Sequence, residues 1–196
     1  MNSDEIQPSD AGSGPAGTKP VNSGIVHRIL RAAKLDSELY EEVEADKSSL
    51  GQATAVVVLS SLAAGVGNFA NGGIGMLFAG TLAALGSWYI WAFLTYIIGT
   101  RLLPEPQTVA DHKELLRTTG FSSAPGLIRV FGAIPGVTGW VYSIASIWML
   151  IAMVISVRQA LDYTGTGRAI AVCAAGWVVQ GVVIYFILSG LALSEG

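Results

Sequence analysis

The sequence predicts an all-α polytopic membrane protein, a bundle of five transmembrane helices with an N-terminal cytoplasmic amphipathic helix. Of its 196 residues, 52% are hydrophobic and 13% are charged, whereas a soluble domain carries about 25% charged residues. Residues 48–100 contain no charged side chain. Because one membrane span needs about 20 apolar residues, this uncharged run is long enough for two spans and a short turn.

The composition also excludes several classes of function. A net charge of −3 without any basic block argues against a nucleic-acid partner, because nucleic-acid binding needs a concentrated Lys/Arg surface. The single cysteine, Cys173, lies in an apolar stretch, so neither a disulfide framework nor a zinc site is predicted. We therefore expect no metal and no cofactor.

Three regions follow one another along the chain. Residues 1–24 are rich in Gly, Ser and Pro, and they are predicted to be a disordered tail because they have little apolar surface to bury. Residues 25–50 are predicted to form a cytoplasmic amphipathic helical segment. Residues 51–196 are predicted to form the five-span membrane domain.

Residues 25–34 have the pattern of a short amphipathic helix. At 100° per residue, the apolar side chains fall within one arc of about 140°, and Arg28, Arg31 and Lys34 lie on the opposite side. These three cations are candidate contacts for an anionic membrane surface. The alternative is a helix that packs on the protein's own cytoplasmic loops. Asp36 is the predicted N-cap of a second, acidic helix that follows.

Five apolar segments are predicted to span the membrane, at about residues 52–69, 74–98, 121–137, 140–157 and 169–191. The third is short and contains Pro125, Arg129 and Pro135. Since proline disrupts a helix interior, the pattern leaves open whether this segment crosses fully or is re-entrant.

The distribution of cations predicts the orientation. Residues 1–50 contain five Lys or Arg, residues 99–120 contain three and residues 158–168 contain two, whereas residues 70–73, 138–139 and 192–196 contain none. Five spans place all the basic segments on one side. By the positive-inside rule, the N terminus is cytoplasmic and the C terminus is not.

The predicted spans contain no Asp, Glu, Lys or His. Both histidines, His27 and His112, fall in predicted cytoplasmic segments away from the spans. Catalysis needs a convergent set of acids, bases or nucleophiles, so we do not expect an enzyme.

Arg129 is the one charged residue in a predicted span, and Gln180 is the other strongly polar side chain near mid-depth. A charge at the centre of a membrane helix costs roughly 2.5–3.5 kcal/mol on insertion scales. Arg129 is thus a candidate contact for a lipid headgroup or an anion, with Gln180 as a second polar residue. The alternative is that Arg129 extends to the membrane interface.

Three stretches, residues 28–53, 115–137 and 158–180, resemble the Yip family of five-span Ypt/Rab-interacting membrane proteins, in its prokaryotic branch. The most specific part is Gly120 and Phe121 followed by Ala124, Pro125 and Gly126. The resemblance implies five helices, a cytoplasmic N terminus and a prokaryotic cell (inner) membrane. The Asp-Leu-Tyr-Gly-Pro motif of some eukaryotic members is absent, so binding of Rab-type GTPases is not carried over.

These features predict a non-enzymatic integral membrane protein that acts by binding membrane lipids or other membrane proteins. One alternative is a small permease or channel-like protein, with a polar path near Arg129 and Gln180. A further alternative is an accessory subunit of a larger membrane complex.

Overall fold

The computed structural model describes residues 24–194, so the predicted tail, apart from Gly24, lies outside the described residues. Regular structure in this part of the chain is helical throughout. The α-helices are α1 (Ile25–Ala33), α2 (Ser37–Ala45), α3 (Leu50–Gly67), α4 (Phe69–Ile97), α5 (His112–Phe121), α6 (Thr138–Ala160) and α7 (Thr166–Ser194).

Four helical stretches of the described chain are long and apolar enough to cross a membrane. They are Lys47–Gly67, Gly73–Leu102, Thr138–Ala160 and Thr166–Val183. These match the first, second, fourth and fifth predicted spans and confirm the prediction of an all-α fold with membrane-compatible helices. The third predicted segment has a different structure.

The third predicted span begins at the last residue of α5 and continues as a 3₁₀-helix over Ala124–Ala133. Residues 120–137 are hereafter the third segment. Leu115–Phe121 form seven consecutive buried positions, so α5 is covered on all sides. Pro125 lies in the first turn of the 3₁₀-helix, where its missing N–H removes no α-helical hydrogen bond. Runs of 3₁₀-helix longer than three or four residues are uncommon. The length of this 3₁₀-helix is explained by its close packing against α3.

Three glycines let the third segment lie against α3. A Cβ on Gly120 would stand 2.8 Å from that of Ala53, and a Cβ on Gly126 would collide with the Ser60 hydroxyl. A Cβ on Gly132 would lie 3.2 Å from the carbonyl oxygen of Gly67, the last residue of α3. The third segment therefore runs parallel to α3, from its beginning to its end.

Helix α6 returns in the opposite direction. Its Tyr142 donates a hydrogen bond to the Ala64 carbonyl, and at its other end Gln159 donates to Glu41 of α2 at 2.7 Å. Helix α7 packs beside α4, where Gly176 lies against Trp91 and Gln180 donates to Ser87.

Helices α1 and α2 form a cap at one end of the bundle, hereafter the cap end. Leu39, Tyr40 and Val43 of α2 are fully buried against Phe121 and the first turns of α3. At the same end, α4 closes with a π-helical turn, Ile98–Leu102. Tyr163 from the α6–α7 turn donates to the Gly99 and Leu103 carbonyls there, which satisfies backbone groups that the widened turn leaves free.

We predict that Gly67→Ala destabilises the bundle by about 1–3 kcal/mol, the usual cost of overpacking. An added Cβ would collide with the carbonyl oxygen of Arg129, which the third segment holds in place. Thermal unfolding in detergent measures the effect. Gly80→Ala is the matched control, because a Cβ there meets nothing within 4 Å. Equal unfolding midpoints for the two variants would contradict the close packing of the third segment on α3.

Candidate functional site

The first group of predicted site residues lies in the cap. Arg28 is only 5% exposed, and its guanidinium is surrounded by acceptors. It donates to Glu42 at 3.0 Å, to Asp46 at 2.9 Å and to Gln52 at 3.0 Å. Arg28 therefore joins α1 to α2 and to the first turn of α3, and its charge is turned into the protein.

Arg31 extends the same network. It donates to Asp36 at 2.6 Å and to the second carboxylate oxygen of Glu42 at 2.5 Å. The hydrogen bond from Arg31 lowers the pKa of the Asp36 carboxyl below its ordinary value. Asp36 also accepts from the Glu38 N–H as the N-cap of α2, as the sequence predicted. Glu42 thus bridges two arginines, which ties the two cap helices together.

The surface that α1 leaves exposed is partly apolar. Val26 is 67% exposed and Leu30 is 56% exposed, one helical turn apart, whereas Ile25 and Ile29 pack against the cap core. Lys34 is exposed. Arg28 and Arg31 face α2, which is the arrangement expected of the alternative, a helix that packs on the protein's own cytoplasmic loops.

Arg117 is a structural residue that sequence reasoning treated only as a loop cation. It is 3% exposed, and its guanidinium donates to the carbonyls of Val43 and Glu44. These are among the last carbonyls of α2, which lack partners within the helix. Arg117 thereby caps α2 from α5. Its neighbour Glu44 has a pKa raised to about 7 by burial and by the nearby carboxylates of Asp162 and Glu114.

His112 is closer to the bundle than the sequence predicted. The imidazole at the start of α5 makes edge contacts with three aromatic rings of α4, at centroid distances of 5.0 Å for Tyr89, 5.6 Å for Phe93 and 6.4 Å for Tyr96. Burial lowers the pKa of His112. The prediction that this histidine lies away from the spans is wrong, because the helix that begins with it packs along α4. The spacing of the three aromatic residues over two turns of α4 was the available signal.

Arg129 lies toward the end of the bundle opposite the cap. Its backbone contacts Gly67, the last residue of α3, and its guanidinium lies 5.5 Å from the centre of the Tyr142 ring. Nη2 donates to the Ser146 hydroxyl at 3.2 Å, while Nε is buried without a hydrogen-bond partner. A cation over an aromatic face is stabilised by about 0.5–2 kcal/mol. The Tyr142 ring therefore supplies part of the stabilisation that a carboxylate partner would give to Arg129.

Gln180 has a different environment. Its amide donates to Ser87 of α4 at 2.8 Å, whereas Arg129 contacts α6. The two predicted polar residues therefore belong to different helix pairs, α7–α4 and third segment–α6. The permease hypothesis required them to line one path, and the contacts of each do not bring them together.

Within residues 24–194, no group of three or more His, Cys, Asp and Glu side chains is arranged to hold a metal ion. Neither a protein-family model, nor a curated protein, nor a solved structure matches the chain.

We predict that Arg28→Gln loosens the cap. Removing this guanidinium leaves Glu42 and Asp46 partly buried without their shared partner, at a cost of about 1–3 kcal/mol. If the cap opens locally, hydrogen exchange across α1 should accelerate by roughly 5- to 150-fold. Lys34→Gln, at an exposed position on the same helix, is the control. Identical exchange in the two variants would show that the ion-pair network does not hold α1.

Proposed function

We propose that the chain is a non-enzymatic integral membrane protein that acts by binding membrane lipids or other membrane proteins. In this proposal it lies in a prokaryotic cell membrane with five crossings, as its likeness to the Yip family implies. The observation that carries the proposal is the exposed apolar edge of α1, Val26 and Leu30, on a helix that lies next to the membrane-compatible bundle.

The position of α1 supports a contact with the membrane interface. Its Ile25 and Ile29 pack beside Phe121 and Ala124, where the third segment begins. Exposing these apolar side chains to water costs free energy, whereas placing them at the boundary between lipid headgroups and acyl chains is favourable. Since Arg28 and Arg31 are neutralised by α2, the proposed contact depends on the apolar edge and not on anionic lipid.

The third segment is the proposed third crossing. The third segment runs beside residues 53–67 of α3, a rise of roughly 21 Å at 1.5 Å per residue. Its 3₁₀-helix, Ala124–Ala133, rises about 18 Å at 2.0 Å per residue. Irregular backbone is tolerated at membrane depth where protein surrounds it. The close packing of Gly120 and Gly126 on α3 meets that condition in the first half of the segment, whereas Phe131 in its second half is 59% exposed.

The cations support the proposed orientation. Apart from Arg129, every Lys and Arg of residues 24–194 belongs to the cap or to the segments at residues 47, 101–117 and 158–168. These segments meet at the cap end, through contacts such as those of Arg117 with Glu44, Gln159 with Glu41 and Arg168 with Glu105. The positive-inside rule then makes the cap end cytoplasmic.

Two single-cysteine variants test this topology in a Cys173→Ala background. We expect Gly139→Cys to react with an impermeant maleimide in intact cells, and Gly165→Cys to react only after permeabilisation. Both glycines are exposed and a Cβ on either meets nothing within 4 Å, so the pair is matched. Labelling of both from the same side would contradict the crossing by α6, and the reverse pattern would contradict either the third crossing or the orientation.

The contact of α1 with lipid is tested by fluorescent probes in the same background. We expect a probe on Val26→Cys or Leu30→Cys to be quenched by nitroxide-labelled phospholipids in liposomes, and a probe on His27→Cys to stay in water. His27 is also exposed and lies about 100° around the helix axis from Val26, on the polar flank of α1. The quenching should not depend on the fraction of anionic lipid. Equal quenching at positions 26 and 27 would refute the proposed contact.

A further inference from the structure

An apolar groove runs between α6 and α7. It encloses about 420 Å³. Leu150, Ile151 and Val154 line it from α6, and Ile170, Ala174 and Trp177 line it from α7. Trp177 is 53% exposed and Ile170 is also 53% exposed, so the groove opens on the outer surface of the bundle.

The groove lies along two helices that are long and apolar enough to span a membrane. In a bilayer its opening therefore faces hydrocarbon. Atoms that line an empty space lose the dispersion contacts that a partner would supply, and the apolar side chains here provide no polar partner for water. A lipid acyl chain is the occupant that the surroundings supply and that the lining favours.

A cation stands at the cap end of the groove. Arg158 follows Ile151 by seven residues and Val154 by four, so it continues their face of α6. Its Nε donates to the Tyr163 carbonyl at 3.3 Å and its Nη2 to the Thr164 carbonyl at 3.4 Å, two residues before the groove residue Thr166. Both acceptors are neutral and both bonds are long, so the charge of Arg158 is not compensated by them.

The surroundings of Arg158 carry both signs of charge. A polar cavity of about 580 Å³ is lined by Arg158 together with Glu41, Asp162 and Thr164. Arg168, the other arginine of this turn, is already paired with Glu105 at 3.4 Å. One guanidinium beside two carboxylates suits a headgroup that carries a phosphate and an amine, whereas the carboxylates would repel a headgroup that is only anionic.

We propose that the α6–α7 groove binds one acyl chain of an aminophospholipid from the leaflet at the cap end. Its phosphate is bound by Arg158, and its ammonium group lies toward Asp162 and Glu41. This proposal deepens the proposed function, on which it rests, by naming a lipid class and a site. Arginine binds phosphate oxygens through charge-assisted hydrogen bonds, and Arg158 has donors to spare beyond its two long bonds.

The test uses the full chain, purified in detergent and depleted of lipid, with dioleoyl-phosphatidylethanolamine added and its binding followed by native mass spectrometry. Arg158→Gln should lower the affinity about tenfold or more, since a hydrogen bond to a charged group contributes roughly 1.5–3 kcal/mol. Arg168→Gln is the matched control and should change it by less than about twofold. Equal losses in the two variants would overturn the role of Arg158.

A second pair of variants tests the groove without touching the arginine. Ala174 lines the groove and Ala171, also exposed on α7, does not. Ala174→Phe should fill the groove and abolish lipid binding, and Ala171→Phe should retain it. Unfolding midpoints measured without lipid identify any variant that fails to fold. In that case the test of the proposal is taken from the other pair of variants. Binding retained in both Phe variants, or a dimer of the chain that Ala174→Phe abolishes, would overturn the proposal.

The headgroup is tested with lipids that share the dioleoyl chains. Phosphatidylethanolamine should bind more tightly than anionic phosphatidylglycerol, and diacylglycerol should bind least. Tighter binding of phosphatidylglycerol would refute the role of Asp162 and Glu41. These measurements in detergent do not depend on orientation. Maleimide labelling can therefore refute the proposed topology while lipid binding stands, and loss of lipid binding leaves the topology and the α1 contact unchanged.

Discussion

The close approach of two backbones, those of α3 and the third segment, is the constraint on which the bundle depends. It exists because Gly67, Gly120, Gly126 and Gly132 have no Cβ at the points of contact. A segment this close to α3 cannot accommodate the side chains of an ordinary α-helical face, and Pro125 removes one N–H from any α-helical ladder. The tighter 3₁₀ winding satisfies both conditions, and α6 packs against the result.

The cap is organised by charges that look exposed in the sequence and are buried in the fold. Arg28 neutralises acidic side chains of α2, and Arg117 satisfies carbonyls at the end of the same helix. Removing one member of such a network takes a charged partner from the others in a place where water cannot fully replace it. The cap is therefore held to the bundle by polar contacts at its edges and by Leu39, Tyr40 and Val43 at its centre.

The elements that the sequence predicted correctly are those governed by local rules. Length and apolar composition located four helices that are long and apolar enough to span a membrane, and the N-cap at Asp36 was recognised from residue type. The partners of Arg28 and Arg31 could not be predicted, because an amphipathic pattern shows which residues share a face and not what that face meets. In the sequence, Arg129 and Gln180 look alike, as polar residues within apolar segments. Their neighbours differ in the structure because those neighbours depend on which helices pack together. The α6–α7 groove lies between two consecutive helices and depends on how they pack, so no local sequence pattern predicts it.

The hydrogen bonds of the third segment bear on how the chain is made. Thr138, the first residue of α6, donates to the Gly132 carbonyl, and Tyr142 of α6 packs on Gly132. Until α6 has been synthesised, the end of the 3₁₀-helix lacks these partners, and a short segment with two prolines and an arginine has little tendency to enter lipid alone. In the proposed five-span topology, insertion of the third segment during biosynthesis is therefore coupled to that of α6, and the two segments enter the membrane as a pair.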